Sequence, residues 1–329
     1  MKQLTKNKNA IFLVIVESPS KCSKIESYLG PQYACIASVG HLRYIPGLKN
    51  IDIKNNYKVN YEFIEKKKQH IYDMKSLITH FNPNNIFIAT DDDREGEAIG
   101  WHICEIFNLN INTTKRIIFR EITKSAILKA VQNPETINMN IVNSAIARQV
   151  LDLIVGYRLS PLLWKHIYNN KDNPLSAGRC QTPTLKIIYE NSLLDRKDEY
   201  DHKIYGNFTG NKLVFTLNKH IDTKEKIETF LDLSKRHKHI LTEGKHSKSV
   251  LNPPKPFNTS KLLQHCSNAM STSPTVIMKL CQELYQAGCI TYMRTDSTKY
   301  STEFISHCKE FILGKYEDTY LGNTDMIIN

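Results

Sequence analysis

The segment Ala89-Thr90-Asp91-Asp92-Asp93-Arg94-Glu95-Gly96-Glu97 sets a run of acidic side chains at the exit of an apolar stretch, Ile86-Phe87-Ile88. Crowded carboxylates repel one another, and burial raises their pKa values unless a cation offsets the charge. Asp91, Asp93 and Glu95 alternate, so an extended turn would aim all three at one hard, oxygen-preferring ion such as Mg2+. An acidic run taken alone is more often a solvated loop. This one follows a strand pattern and precedes a helical pattern, Ala98 to Phe107, and strand ends are where open α/β sheets present their ligand sites. A second carboxylate holds an equivalent place. The apolar run Ile11 to Val16 suits a buried parallel strand and ends in Glu17-Ser18-Pro19-Ser20-Lys21. A helix with Cys22, Ile25 and Leu29 on one face follows, and Ser18 or Ser20 is expected to cap it. One Glu on one strand and an alternating acidic set on another make an arrangement for phosphoryl transfer.

Further residues are candidates for the same chemistry. Tyr292 lies in Ile290-Thr291-Tyr292-Met293-Arg294-Thr295-Asp296-Ser297, and any one of the 16 tyrosines is by default a packing residue with a polar tip. Tyr285 and Tyr300 are read that way. Arg294, two positions on, shares the face of Tyr292 in an extended segment. A guanidinium there can hold a phosphate oxygen while a phenolate attacks phosphorus. Lys21 lies near the same strand end as Glu17, although an exposed helix lysine is the commoner outcome. Arg148 and Asp152 stand four apart, for which an intrahelical ion pair is a sufficient account. In Ser176-Ala177-Gly178-Arg179-Cys180-Gln181, Gly178 permits close backbone approach, while Arg179 and Gln181 offer donors to phosphate or base.

The elements that must position these residues follow from periodicity. Strands are expected at Ile11–Val16, Tyr33–Ser38, Ile86–Thr90 and Ile117–Phe119, alternating with helices as in a small doubly wound α/β domain. Asn50 to Gln69 is polar and lysine-rich, which predicts a surface insertion. From Lys124 to Asp195 the pattern turns helical, with one helix beginning at Pro183. Ile204, Gly206 and Phe208 alternate, Gly210-Asn211 turns the chain, and Leu213, Phe215 and Leu217 return, which predicts a β-hairpin. The Pro-rich run Leu251 to Pro256 marks a boundary. Helices are expected at Thr259–Ala269 and Ser273–Gln286.

Composition narrows the partners. The 329 residues hold 44 Lys and Arg against 33 Asp and Glu, a formal net charge of +11, and 41% are hydrophobic. That length suits two or three domains with real cores, and the positive excess favours polyanions, nucleic acid above all. No apolar run approaches the roughly 20 residues of a membrane span, and the polar start is not a signal peptide, so no membrane role is expected. Eight cysteines without a C-x-x-C pair indicate neither a zinc site nor a disulfide framework. An intracellular, reducing compartment fits.

The segments Val16–Gly30, Ser38–Gly47 and Ala89–Ile103 together resemble the Toprim domain of type IA DNA topoisomerases. Three later segments, ARQVLDLIVGYRLSPLLW, LSAGRCQTPTL and QAGCITYMRTDST, extend the resemblance to six motifs in the family's order. A lone DxDxE is shared with primases and some nucleases, and the tyrosine segment disfavours both. The resemblance implies that Tyr292 is the nucleophile, becoming linked to the 5′ phosphate of a cleaved strand, so that resealing needs no ATP. It implies that Lys21 assists the leaving 3′ oxygen and that Glu17 moves a proton or binds metal. Arg294 then acts beside the tyrosine, and Glu17, Asp91, Asp93 and Glu95 hold Mg2+. Arg148, Asp152, Arg179 and Gln181 lie along a groove for single-stranded DNA. The substrate would be negatively supercoiled DNA, relaxed by a DNA-associated, monomeric enzyme. His41 also matches the family, with core packing equally open. Leu153 departs from the pattern, since many relatives carry a second arginine there, and the missing cation is expected to weaken one phosphate contact.

The organisation so implied is an α/β Toprim domain with a Rossmann-like parallel sheet (1–130), then a helical DNA-groove domain (131–200). A β-containing arch segment (201–252) and a helical, tyrosine-bearing domain (253–329) follow, as parts of a multidomain clamp. Relatives continue well past the tyrosine segment, so the chain is expected to be the N-terminal portion of a longer enzyme. Two function classes remain open: a type IA topoisomerase, or a catalytically incomplete fragment that binds single-stranded DNA.

Overall fold

Parallel strands buried on both faces need near-continuous apolar sequence, and the run after Ile11 supplies it. Phe12–Val16 lies at the centre of a four-stranded parallel sheet, flanked by Tyr33–Ala37 on one side and Ile86–Ala89 on the other. Lys115–Arg116 pairs outside Ile86–Ala89 as the fourth strand. The computed structural model describes residues 9–324 apart from positions 169, 173, 195–201, 208–212, 246, 250, 252 and 253. Val16 stands opposite Ala37 and Ala89. The chain leaves the central strand to one side and later returns to the other, so a topological switch point falls at the C-ends of Phe12–Val16 and Ile86–Ala89.

Ten α-helices occur among the described residues. The first five are α1 (Cys22–Leu29), α2 (Lys68–Ile78), α3 (Arg94–Phe107), α4 (Lys124–Gln132) and α5 (Met139–His166). They are followed by α6 (Gln181–Leu193), α7 (Lys224–Arg236), α8 (Thr259–Met270), α9 (Pro274–Gln286) and α10 (Thr302–Lys315). No helix among the described residues is long and apolar enough to cross a membrane.

Contacts divide the chain into two compact units, Met1–Arg179 with Pro254–Asn329, and Cys180–Pro253. In the first, alternation along the strands fills a core on each face of the sheet. Val14, Val16, Phe87 and Ala89 pack with Ile25 of α1, Ile127 of α4, and Ile277, Cys281 and Tyr285 of α9. Leu13, Ile15, Ile86 and Ile88 pack with Met74 of α2, Ile99 and Ile103 of α3 and Val142 of α5. At about 25 cal/mol per Å2 of apolar surface removed from water, these two layers supply most of the driving force for the unit. The second unit contains α6, α7 and a small antiparallel pair, Tyr205–Asn207 with Val214–Thr216. Phe208 and the Gly210-Asn211 turn lie outside the described residues, as do Asp195 and the Asn252-Pro253 part of the Pro-rich run.

Local departures from expectation have physical causes. The fourth strand is Lys115–Arg116, ahead of the expected Ile117–Phe119. Ile117 still donates to Ile88 O at 2.9 Å, but beyond it the chain leaves the ladder while Ile117 and Phe119 stay buried. Burial without pairing leaves the same apolar pattern as a strand. Neither Ser18 nor Ser20 caps α1. Pro19–Lys21 forms a short 3-10 turn leading straight into it, and the Ser18 and Ser20 hydroxyls pair with each other, 2.9 Å apart. The helix after the acidic run starts at Arg94, ahead of the expected Ala98. In the lysine-rich stretch 50–69, Ile51–Asp52 forms a two-residue ladder with Lys58–Val59, and Glu62–Phe63 pairs back to Arg43–Tyr44 outside it.

Candidate active site

The two central strands deliver Glu17 and Asp91 to the switch point. Asp91 is buried, and its carboxylate is bonded by the ammonium of Lys21, which has no exposed surface. The commoner outcome for a helix-end lysine, full solvation, is therefore not what occurs. A charge this deep requires a partner, and Lys21 has a second stabilising neighbour in the Tyr285 ring, 4.8 Å from its Nζ to the centroid.

The acidic turn is not extended throughout. Asp93 is the N-cap of α3, its carboxylate accepting from the Gly96 N–H at 2.7 Å, so Arg94 onward is helical. Glu95 consequently stands in the first turn of α3, where an acidic side chain complements the helix dipole, and is not placed by strand alternation. Gly96 has a steric reason to be glycine, because a Cβ there would lie 2.2 Å from Asp91 O. Asp92 points elsewhere and pairs with Arg120 at 2.7 Å.

Tyr292 reaches this turn from the far end of the chain. Its N–H donates to Arg120 O at 2.7 Å, its ring packs edge-on against Tyr285, and its hydroxyl donates to Asp93 Oδ2 at 2.5 Å. Arg294 Nη1 meets the same oxygen at 3.1 Å and Glu95 Oε2 at 3.5 Å. Burial raises the Tyr292 pKa, and donation to Asp93 raises it further. Burial alone would raise Asp93 as well. The hydrogen bonds from Tyr292 and Gly96, with the charge of Arg294, outweigh it and hold Asp93 below the usual carboxylate range. Glu17 goes the other way, pushed up to about 7 by burial and then by Asp91.

These groups share one cavity of about 470 Å3, lined by Glu17, Asp91, Asp93, Glu95, Tyr292 and Arg294. Val39 and Gly40 form part of its wall, and Lys279, Gln282 and Gln286 of α9 another. The structure thus brings together every residue expected at the chemistry, with Lys21 directly behind Asp91. As placed, no three His, Cys, Asp or Glu side chains among the described residues stand close enough to hold an ion. Asp91 is engaged by Lys21, and Asp93 by Tyr292, Arg294 and Gly96. The donor set nevertheless suits a hard cation. Four carboxylates line one cavity, and a cation there would offset the burial, and after it the Asp91 charge, that raise the pKa of Glu17.

Of the expected DNA-contacting residues, Arg148, Asp152 and Arg179 form a separate, exposed group. Arg179 Nε bonds Asp152 Oδ1 at 2.9 Å, and Arg148 Nε lies 3.9 Å from the other oxygen of the same carboxylate. The intrahelical pair allowed for Arg148 and Asp152 is present but loose. Gln181 begins α6 in the second unit. His41 is half-buried against His102.

Sequence reasoning missed the pair behind the acidic turn. Arg116, fully buried, bonds Glu97 at 3.0 Å and donates to Thr90 O, Asp91 O and Ile117 O at 2.8–2.9 Å. It thereby fixes the backbone that carries Asp91. The only signal was a basic residue entering the apolar run Ile117-Ile118-Phe119. Glu97 also accepts from the Asn138 N–H at 2.6 Å, tying α3 to the start of α5.

A parallel sheet with carboxylates at its switch point, facing a buried tyrosine and an arginine, defines an α/β protein of the Toprim class. A family model for the Toprim domain matches residues 12–122, and one for DNA topoisomerase matches residues 136–329. The chain is also similar to full-length topoisomerase I from Thermotoga maritima, at 34% identity with a TM-score of 0.80. That match covers 94% of this chain and 54% of the Thermotoga chain, so this chain spans about half the length of that relative. The chain belongs to the type IA DNA topoisomerase family.

Proposed function

We propose that this chain carries the strand-cleaving centre of a type IA DNA topoisomerase, with Tyr292 as nucleophile. The observation that carries the reading is the Tyr292 hydroxyl on Asp93, inside a cavity that also holds Glu17, Asp91, Glu95 and Arg294. In the reaction, the Tyr292 oxygen attacks a backbone phosphorus. A P–O bond forms to the tyrosine as its proton passes to the Asp93 carboxylate that it already bonds, and the bond to the 3′ oxygen breaks, leaving a 5′-phosphotyrosine and a 3′ hydroxyl. Resealing reverses these bonds, so no ATP is required.

This chain's own groups suit each part. Arg294 is placed to hold a non-bridging oxygen as charge grows on the phosphoryl group. Lys21, behind Asp91, stabilises negative charge near the leaving oxygen. Glu17, with a pKa near neutrality, can hold the proton that the leaving 3′ oxygen takes. Glu17, Asp91, Asp93 and Glu95 would hold Mg2+, which supplies electrostatic stabilisation for religation. Arg148, Asp152, Arg179 and Gln181 would contact a single strand, with negatively supercoiled DNA as the substrate of the whole enzyme. The four-part division at about residues 130, 200 and 252, a monomeric state and an intracellular, DNA-associated location belong to the same proposal.

The test is covalent trapping. Labelled single-stranded oligonucleotide should remain on the protein after denaturant, and Tyr292→Phe should abolish the adduct. An adduct that survives this substitution would sink the assignment. A second reading, single-stranded DNA binding without turnover, is favoured by the exposed Arg148 and Arg179 around Asp152. It predicts salt-sensitive binding with no adduct in the wild-type chain.

A further inference from the structure

Lys67 stands outside every group assigned above, in the polar stretch that the sequence reads as surface. Its side chain turns inward all the same. The ammonium donates to Val39 O at 2.5 Å and to His41 O at 2.6 Å. The segment it grips is strained. Val39 has φ 61° and Gly40 has φ 80°. Glycine takes that region freely, but a β-branched residue there is a genuine outlier, because its Cβ crowds the neighbouring carbonyl. The Val39 side chain is half exposed, so core packing does not explain why it stays. Strain of this kind persists only where the surroundings over-determine it, and it collects at working sites.

The strained pair forms part of the cavity wall next to Glu17. Val39 and Gly40 both line the cavity, and the Gly40 N–H donates to Glu17 O at 3.3 Å. The backbone of Lys67 is itself anchored, since its N–H donates to Ile64 O and the Ile64 N–H donates to Leu42 O. Lysine suits the task, offering three donors and no acceptor to two converging carbonyls. We propose that Lys67 is a positioning residue of the candidate active site, its ammonium holding Val39-Gly40 in the left-handed form and so fixing the cavity wall beside Glu17. For its rate measurement this inference rests on the strand-cleaving reading, and its stability measurement is independent of that reading.

The experiment uses the 329-residue chain with Lys67→Met, which keeps the stem and removes the donors. It is paired with Val39→Gly and Val39→Asn, which accept positive φ without a clamp. In the Val39 background, Lys67→Met should lower Tm by about 2 °C, because release of the strain offsets part of the lost bonds, and in either relieved background by at least twice as much. At saturating oligonucleotide, Lys67→Met should slow adduct formation by roughly tenfold or more, as misplacement near a reacting centre does. Adding Val39→Asn should recover most of that rate. Equal Tm losses in all backgrounds would overturn the proposal. So would an unchanged rate, or a rate loss that Val39→Asn leaves untouched, which would instead mark Lys67 as a direct DNA contact. If the wild-type chain gives no Tyr292-dependent adduct, the strand-cleaving reading fails, and the thermal cycle alone decides whether Lys67 holds the wall.

Discussion

Cations meet carboxylates in two contrasting places. Behind the acidic turn, Lys21–Asp91 and Arg116–Glu97 are buried, with side-chain exposures of 0%/7% and 1%/5%. Around Asp152, Arg148 and Arg179 remain 55% and 38% exposed. The first set has exchanged water for fixed partners, and each group depends on the others being present. The second stays hydrated and can exchange Asp152 for another anion at little cost. Buried pairs suit a centre whose geometry must not change, and exposed pairs suit a surface that must release one partner to take up a phosphate.

Substitutions test this contrast, beginning with the largest effect. Arg116→Met leaves Glu97 charged and unpaired, and should lower unfolding free energy by about 3–5 kcal/mol in denaturant titration. Removing both partners, as Arg116→Met with Glu97→Leu, should recover a large part of the loss. A single substitution costing under about 1 kcal/mol would make the buried pair no different from the exposed one.

The next effect is a pH dependence. His102 is held down at about 2, first by burial and then by the positive Arg43 and His41, and Arg43 Nε donates to its Nδ1. Because the folded pKa lies below the unfolded one, the unfolded state binds the proton first. Stability is complete above about pH 6.5 and declines as pH falls from there towards 2. By pH 5 this group alone should lower stability by about 2 kcal/mol, and His102→Gln should flatten that slope. A wild-type stability unchanged between pH 7 and pH 5 would contradict the burial.

On the exposed side the effects are small. Asp152→Ala should change stability by less than about 1 kcal/mol. Arg179→Ala should reduce the log-log salt slope of single-stranded DNA binding by about 0.7, one phosphate contact. An unchanged slope would separate Arg179 from the DNA surface.

Much of the sheet was legible because two-sided burial writes continuous apolar runs such as Leu13 to Val16. The fourth strand was misplaced because Ile117 and Phe119 are as buried as strand residues without pairing. Asp93 carries a readable N-cap signal just ahead of a helical pattern, but the alternation of Asp91, Asp93 and Glu95 reads equally as an extended turn, which assigns Glu95 to the wrong element. Local spacing could not show that Lys21 is buried, because its partner Asp91 lies 70 residues away. The strained Val39 left no trace either, since valine in this apolar neighbourhood reads as an ordinary strand end. The Lys67 clamp was hidden in a run of lysines whose other members are solvated.

Tyr292 lies in the hydrophobic layer of the sheet, with only 5% of its surface exposed. A phenol-selective nitrating or iodinating reagent would therefore find Tyr72 and Tyr320, each 69% exposed, long before it found Tyr292. The hydrogen bond to Asp93 adds to this shelter, because these reagents attack the phenolate and this hydroxyl is held protonated. Stray electrophiles would be consumed at these exposed tyrosines, and the oxygen proposed to attack phosphorus would be among the last to be modified.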